Sequence, residues 1–250
     1  MVGQIRAVLV AVGVAYFVFT GAGVADAGTA TPSSMALATV VSPEPGQVVG
    51  IAAPVTIRFS SVVADREAAE RGITIDTPVE VPGRFTWTSD RVVQWAPQGL
   101  WPAHTPVSVR TDGMSTSFDV GAAVVSVADI SAHTFTVSID GQTVREMPAS
   151  LGKPGFDTPQ GSFKVLEKQR RVKFDSRTIG IPLDSPEGYL IDGEYAVRVT
   201  WGGVYVHSAP WSVGSQGSAN VSHGCINLSP DNAAWYFDTV NIGDPVIVQA

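Results

Sequence analysis

The 250-residue chain holds one cysteine, Cys225, and four histidines. Two of those histidines, His207 and His223, share the stretch His207–Asn227 with it. A cysteine attacks as its thiolate, and a free thiol ionises at a pKa of about 8.5, so Cys225 needs a base or a positive neighbour. His223 stands two positions away and reaches the thiol only if Gly224 makes a tight turn. His207 arrives at the end of a separate strand and is the freer partner. It is therefore the expected general base and later proton donor. Its other ring nitrogen needs an orienting acceptor. Neither Asp nor Asn is placed for this by sequence, whereas a backbone carbonyl such as that of Ser208 can serve. The N–H groups of His223, Gly224 and Cys225 offer an oxyanion hole, which requires donors fixed before charge develops. Two other readings stay open. Cys225, His223 and His207 supply three ligand types for zinc, but the chain lacks the short paired spacings of such sites, and the expectation is no metal and no cofactor. A buried, inert Cys beside packing histidines is the other.

Several elements must position these groups. Glu194–Val206 reads as a strand pair or bulged strand broken at Gly202-Gly203, and it delivers His207. Consecutive glycines there allow a ligand to approach the backbone closely. After the site, Leu228–Phe237 reads as a helix with Ser229 as N-cap, Pro230 at the first helical position and Asp231 in the first turn. Pro245–Val248 is a closing strand. Upstream, Ala132–Ile139 alternates in polarity, Asp140-Gly141 suits a type I′ turn, and Val144–Pro148 is the return strand. Two segments read as working loops. One is Gly152–Gly161, leading into the strand Ser162–Val165; the other is Phe174–Tyr189, long enough to be a lid. Lys164, Lys168, Arg170, Arg171, Lys173 and Arg177 crowd around the second loop. They are either a solvated hairpin or an attractor for an anionic substrate. His133 on its strand and His104 in a Pro-rich loop read as structural.

The first half carries none of this chemistry. Residues 1–27 have a basic start at Arg6, an apolar run and an Ala25-Asp26-Ala27 cleavage signature, which together read as a signal peptide, with an uncleaved anchor as the alternative. Residues 28–37 are a small polar linker. Residues 38–120 alternate short strand-like runs with Pro/Gly turns, the pattern of an immunoglobulin-like sandwich. One helical piece, Val63–Gly72, interrupts them. The net charge of −7 and pI near 5.0 exclude nucleic-acid binding through a basic surface. A single Cys excludes an intrachain disulfide, and in an exported chain an odd Cys is an argument for reactivity.

His207, a Gly/Ser-rich stretch, then Ser222-His223-Gly224-Cys225-Ile226-Asn227 resembles the signature of the L,D-transpeptidase catalytic domain, the YkuD family. Gly152-Lys153-Pro154, Thr158-Pro159 and Gly161-Ser162-Phe163 are similar to its early segment, and the closing helix and Gly243–Val246 also fit. The resemblance covers residues 121–250. With the preceding module it is the arrangement of mycobacterial and actinobacterial members. It implies a mainly β chain, an immunoglobulin-like sandwich followed by a YkuD-type sandwich with one short C-terminal helix and a long lid loop. It implies an exported or membrane-tethered acyltransferase that builds cross-links in peptidoglycan. Cys225 would attack the bond after diaminopimelate in a donor tetrapeptide stem, release D-alanine, form a thioester and pass the acyl group to the side-chain amine of an acceptor stem. Water in place of that amine would make an L,D-carboxypeptidase; a dead catalytic half would leave a wall-binding protein. The implied catalytic groups are Cys225, His207, the Ser208 carbonyl and the amides of His223 and Gly224. The implied substrate contacts are Phe174, Tyr189, Gly202, Gly203, Trp211, Ser222 and Asn227. Carbapenems are expected to acylate Cys225, and the chain is expected to be a monomer.

Overall fold

The computed structural model describes residues 36–250, so the expected signal peptide, together with residues 28–35 of the linker, lies outside the described residues. Eight strands come first: β1 (Ala38–Ser42), β2 (Val48–Val49), β3 (Val55–Phe59), β4 (Thr74–Asp76), β5 (Gly83–Trp87), β6 (Val92–Pro97), β7 (Pro106–Thr111) and β8 (Met114–Val120). They form two four-stranded sheets, ordered β1-β3-β6-β5 and β2-β8-β7-β4. Alternation decides which side chains enter the core, because successive residues on a strand face opposite ways. On β3, Val55, Ile57 and Phe59 are buried while Arg58 is exposed. Val93, Val107, Val109 and Phe118 meet them from the other strands. The helix α1 (Arg66–Arg71) starts at Asp65, whose carboxylate accepts the Ala68 N–H, and ends at Gly72. The strands β1 and β4 escape a reading of the sequence, being short and without a strong alternation.

Nine strands follow: β9 (Val124–Asp129), β10 (Thr134–Ile139), β11 (Gln142–Pro148), β12 (Gly161–Lys164), β13 (Glu167–Asp175), β14 (Leu190–Arg198), β15 (Tyr205–Ser208), β16 (Ile226–Leu228) and β17 (Pro245–Gln249). Their sheets are ordered β11-β10-β9-β17-β12 and β13-β14-β15-β16. Asp140 and Gly141 both have positive φ (49° and 80°), as a type I′ turn requires. The helix α2 (Pro230–Thr239) is capped by Ser229, which accepts the Asn232 N–H. It packs on β14 and β15 and sinks Tyr236 fully into the core, where the ring meets Phe135 edge-on at 4.8 Å. Full burial of one large apolar side chain contributes about 1.5–3 kcal/mol, so Tyr236 ties the helix, which lies on the sheet that carries His207, to Phe135 on the opposite sheet.

Two expectations need correction. His133 is not in a strand: it precedes β10 with φ of 56° and holds Asn220 through its Nδ1 at 3.0 Å. Phe174 is not in a loop either. It lies on β13, and the connection proper runs from Ser176 to Tyr189, beginning with a 3-10 turn at Ser176–Ile179.

The two sandwiches meet through backbone. The N–H groups of Gly50 and Ala52 donate to the carbonyls of Ile242 and Gly243 at 2.8 and 2.9 Å. A side chain on Gly243 (φ 94°) would strike Ala53, and one on Gly50 would strike Asp244. Asp140 reaches back to the first sandwich, accepting the Ala123 N–H and pairing with His104 at 3.0 Å. His104 thus has a carboxylate partner that sequence proximity does not reveal.

Candidate active site

The site is assembled where β15 and β16 run side by side in parallel, with His207 opposite Asn227. The strand β15 is wholly buried, which fixes the His207 ring by packing. Phe174 from β13 lies 4.5 Å from that ring and Trp211 lies 5.8 Å from it, centroid to centroid. Phe174 takes this place because Gly193 on the neighbouring strand leaves room; a Cβ there would sit 2.3 Å from the Phe174 ring. His207 Nδ1 is 2.8 Å from the carbonyl oxygen of Ser208. A carbonyl only accepts, so Nδ1 carries the proton and Nε2 keeps its lone pair. Burial pushes the His207 pKa down to about 4, against smaller opposing effects of the Ser208 carbonyl and Asn227.

Cys225 sits at the end of a turn that several groups brace. Ser222 Oγ donates to the Cys225 carbonyl at 2.6 Å and accepts the Gly224 N–H at 3.0 Å. Gly224 has φ of 108°, a conformation few other residues adopt. Thr158 Oγ1 donates to the Gly224 carbonyl at 3.0 Å and accepts the Gly152 N–H. The strip 151–153 bonds to Ser222 on both sides, through Ser222 N–H to Leu151 and Lys153 N–H to Ser222. Gly152 must be glycine, since a Cβ would meet the Phe156 carbonyl at 2.1 Å. Asn220 supports the approach to the turn, accepting the Leu151 N–H and donating to Ile130. The segment 152–158 is therefore a buttress of the cysteine turn. Burial pushes the Cys225 thiol up to about 11, with the Tyr205 backbone N–H opposing. Cys225 and His207 thus rest as neutral thiol and neutral imidazole.

A cleft of about 250 Å³ opens over the pair, lined by Phe174, Pro186–Tyr189, Ile191, His207, Trp211, Val221–His223, Cys225 and Asn227. Of the expected substrate contacts, Phe174, Tyr189, Trp211, Ser222 and Asn227 line it. Gly202 and Gly203 are not in its lining, although the Cys225 thiol lies 3.7 Å from the Gly203 carbonyl oxygen. Ser222 is spent on the turn, and Asn227 Nδ2 donates to Ser212 Oγ at 3.1 Å. Ser208 stands behind His207 and contributes its carbonyl. Of the three expected oxyanion donors, the Gly224 N–H is the one engaged within the turn, by Ser222 Oγ at 3.0 Å.

His223 does not share His207's surroundings. Its Nε2 lies 2.7 Å from Glu187 Oε2, and its ring is flanked by Phe156 and Tyr189 at 4.7 and 5.0 Å. Lys153 reaches the same Glu187 oxygen at 2.6 Å. Lys153 and Glu187 lie in the two segments that read as working loops, but their meeting is not legible in the sequence, because it depends on those loops folding over one another. The basic run is largely paired with nearby acceptors. Arg170 and Arg171 face Glu194, Lys173 faces Asp192, Arg177 faces Asp175, Lys164 reaches Ala52 and Lys168 reaches Val240. This pairing favours the solvated-hairpin reading over an anion attractor. Among the described residues, no group of three or more His, Cys, Asp or Glu side chains is placed to hold a metal ion.

The chain resembles known proteins over most of its length. Residues 123–248 match the model of the L,D-transpeptidase catalytic domain (YkuD), and residues 23–115 match that of a bacterial Ig domain. The chain is 61% identical over 208 residues to L,D-transpeptidase 1 of Mycobacterium tuberculosis, covering 83% of each. It is 48% identical over 232 residues to the probable L,D-transpeptidase 3 of the same organism, covering 84% of this chain and 85% of that one. The structure of LdtMt1 in complex with imipenem superposes with a TM-score of 0.78 at 59% identity, over 86% of this chain and 99% of that one. With its bacterial Ig domain, its catalytic sandwich and relatives this similar over most of their length, the chain belongs to the L,D-transpeptidase family.

Proposed function

We propose that the protein is an exported peptidoglycan L,D-transpeptidase that works through a Cys225 thioester. The observation that carries this is the His207 Nδ1–H bond to the Ser208 carbonyl, which leaves Nε2 as a base in the cleft shared with the thiol. As Cys225 Sγ bonds to the L-centre carbonyl carbon of diaminopimelate, the carbon amide-linked to D-alanine, its proton passes to His207 Nε2. The neutral resting pair favours transfer in step with attack, since a preformed thiolate would be poorly solvated there. The amides of His223 and Cys225 receive the developing oxyanion; loss of one such donor costs on the order of 100- to 1,000-fold. The C–N bond breaks, His207 returns its proton to the leaving D-alanine amine, and a thioester remains. The side-chain amine of an acceptor stem then attacks, gives its proton to His207 and releases the thiol. The donor stem lies in the cleft under Tyr189 and Phe174. Gly202 and Gly203 line the acyl-donor path, where their lack of side chains leaves room for the stem.

The same attack on a β-lactam carbonyl makes carbapenems acylating inhibitors, as the imipenem complex of LdtMt1 suggests for this relative. Residues 1–27 direct export, residues 28–37 form a tether, and the sandwich of residues 38–120 spaces the catalytic domain, residues 121–250, from the membrane. Among the described residues, no helix is long and apolar enough to cross a membrane.

The test is incubation with a purified tetrapeptide stem, read by mass spectrometry. Dimers linked through diaminopimelate are expected, and tripeptide alone would mean a carboxypeptidase. Cys225→Ala is expected to abolish both turnover and the carbapenem adduct; an adduct that survives it would remove Cys225 from the mechanism.

A further inference from the structure

The cleft is roofed by the connection between β13 and β14, and one residue of that roof touches both other loops of the site. Glu187 Oε2 accepts from Lys153 Nζ at 2.6 Å and from His223 Nε2 at 2.7 Å. Lys153 belongs to the buttress below the cysteine turn and His223 belongs to the turn itself. One carboxylate oxygen thus joins three segments that are far apart in the chain.

The roof is built to present this residue. Gly188 N–H donates to the Ser185 carbonyl at 2.8 Å, and Ser185 N–H donates to Pro182 at 3.1 Å. A Cβ on Gly188 would lie 2.5 Å from the carbonyls of Pro182 and Leu183, so the bend tolerates only glycine there. The base is tied by Ser176, whose Oγ accepts the Tyr189 N–H at 3.0 Å and donates to the Ile181 carbonyl at 2.9 Å. These bonds brace the tip from within. What fixes it to the rest of the site is the contact of Glu187 with Lys153 and His223, together with Tyr189 against the His223 ring.

We propose that Glu187 is a positioning residue that latches the lid over Cys225 and holds the His223 ring with its proton on Nε2. An exposed ion pair contributes little by itself. This one differs in receiving two charge-assisted donors on a single oxygen, beside aromatic rings that exclude water from one side. The strong pairing also holds the carboxyl ionised: Lys153 first, then His223, keep Glu187 below the usual carboxylate range. A carboxylate can only accept, so the His223 proton on Nε2 follows. The ring so held lies beside the backbone amide of His223, which the proposed mechanism uses as an oxyanion donor. The substrate-binding consequence rests on the proposed transpeptidase reading. The latch itself does not, because it concerns access to a thiol and the position of a histidine proton.

The test uses the full chain and two readouts independent of transpeptidation. The first is the rate of Cys225 alkylation by iodoacetamide, followed by intact mass. Glu187→Ala is expected to raise it on the order of ten-fold, the equivalent of one charge-assisted hydrogen bond. Glu187→Gln keeps the shape and one acceptor and is expected to fall between. Lys153→Met should also raise the rate while leaving the Glu187 bond to His223. The second readout is the ¹⁵N spectrum of the imidazoles, in which His223 is expected as the Nε2–H form in the wild type and as a mixture in Glu187→Gln. Equal alkylation rates in all four proteins overturn the latch. An unchanged His223 pattern in Glu187→Gln overturns its hold on the ring. Both readouts work whether or not the chain turns over a stem peptide.

Discussion

The Nδ1 of His207 donates to the carbonyl oxygen of its own neighbour, Ser208, at 2.8 Å. The third member of the site is therefore main chain, held by the parallel pairing of β15 with β16. Such an orienter carries no charge. It selects the tautomer without stabilising the imidazolium as a carboxylate would, and with burial added the resting state stays neutral.

The two histidines near Cys225 are not equivalent. His207→Ala removes the base and is expected to slow acylation by imipenem by about 100- to 10,000-fold, the usual range for a positioned acid–base group. His223→Ala keeps the backbone donor and loses only the ring's interactions, so its effect should be much smaller. Stopped-flow measurement of acylation compares them, and the opposite ranking would exchange their roles.

The neutral pair has a pH signature. His207 is pushed down to about 4 and Cys225 up to about 11. Acylation is expected to rise as His207 loses its proton near pH 4 and then to hold a plateau through neutrality. Thiolate absorbance in the far ultraviolet should be absent at neutral pH and emerge only in strong alkali. Thiolate absorbance at neutral pH that disappears in Cys225→Ala would show a preformed ion pair.

Asp244 makes stability depend on pH. It is fully buried between the two sandwiches; Oδ2 accepts the Asn241 N–H at 2.7 Å while Oδ1 has no partner among the described residues. The Ile51 amide is near but outside hydrogen-bonding geometry. Burial pushes the carboxyl up to about 6 from its ordinary 3.8. The folded state thus binds the proton more tightly than the unfolded one. The stability this contributes is complete below about pH 4 and is lost as pH rises through about 6. A shift of this size corresponds to about 3 kcal/mol. Asp244→Asn has no such loss. Denaturant melts are expected to show the variant gaining on the wild type between about pH 4 and about pH 7, and a constant difference across that window would contradict the assignment.

Gly193 holds a place for the Phe174 ring. A methyl there would collide with it at 2.3 Å. Gly193→Ala is expected to cost about 1–3 kcal/mol by overpacking and to push Phe174 off His207. The readout is a rise in KM for the donor stem greater than the fall in the melting temperature explains. A crystal structure of the variant with Phe174 in place would dismiss the link.

Much of this was legible before the fold was known, where the signal was local. Ser229 and Pro230 announce α2 because capping depends on residues three apart. Asp140-Gly141 announces a hairpin because the turn needs two positive φ angles. Gly224 between His223 and Cys225 announces a tight turn, and Ser222-His223-Gly224-Cys225 is compact enough to carry a resemblance to a family. The strand alternation of β3 named its buried face correctly. Where the signal was weak, as in the three residues of β4, no strand was foreseen.

By itself, then, the sequence offered the candidate nucleophile Cys225 with its tight turn, the candidate base His207 and the two-sandwich organisation. These depend on residue type and on spacings of a few positions. The tertiary structure alone decided who stands around them: Glu187 and Lys153 on His223, Thr158 under Gly224, Phe174 on His207, Asp140 and Asp244 at the seam between sandwiches. The physical reason is register. Each of those contacts joins residues on different strands or loops, and which side chains meet is set by how the sheets pair and how the loops fold over them, which leaves no mark in the local sequence.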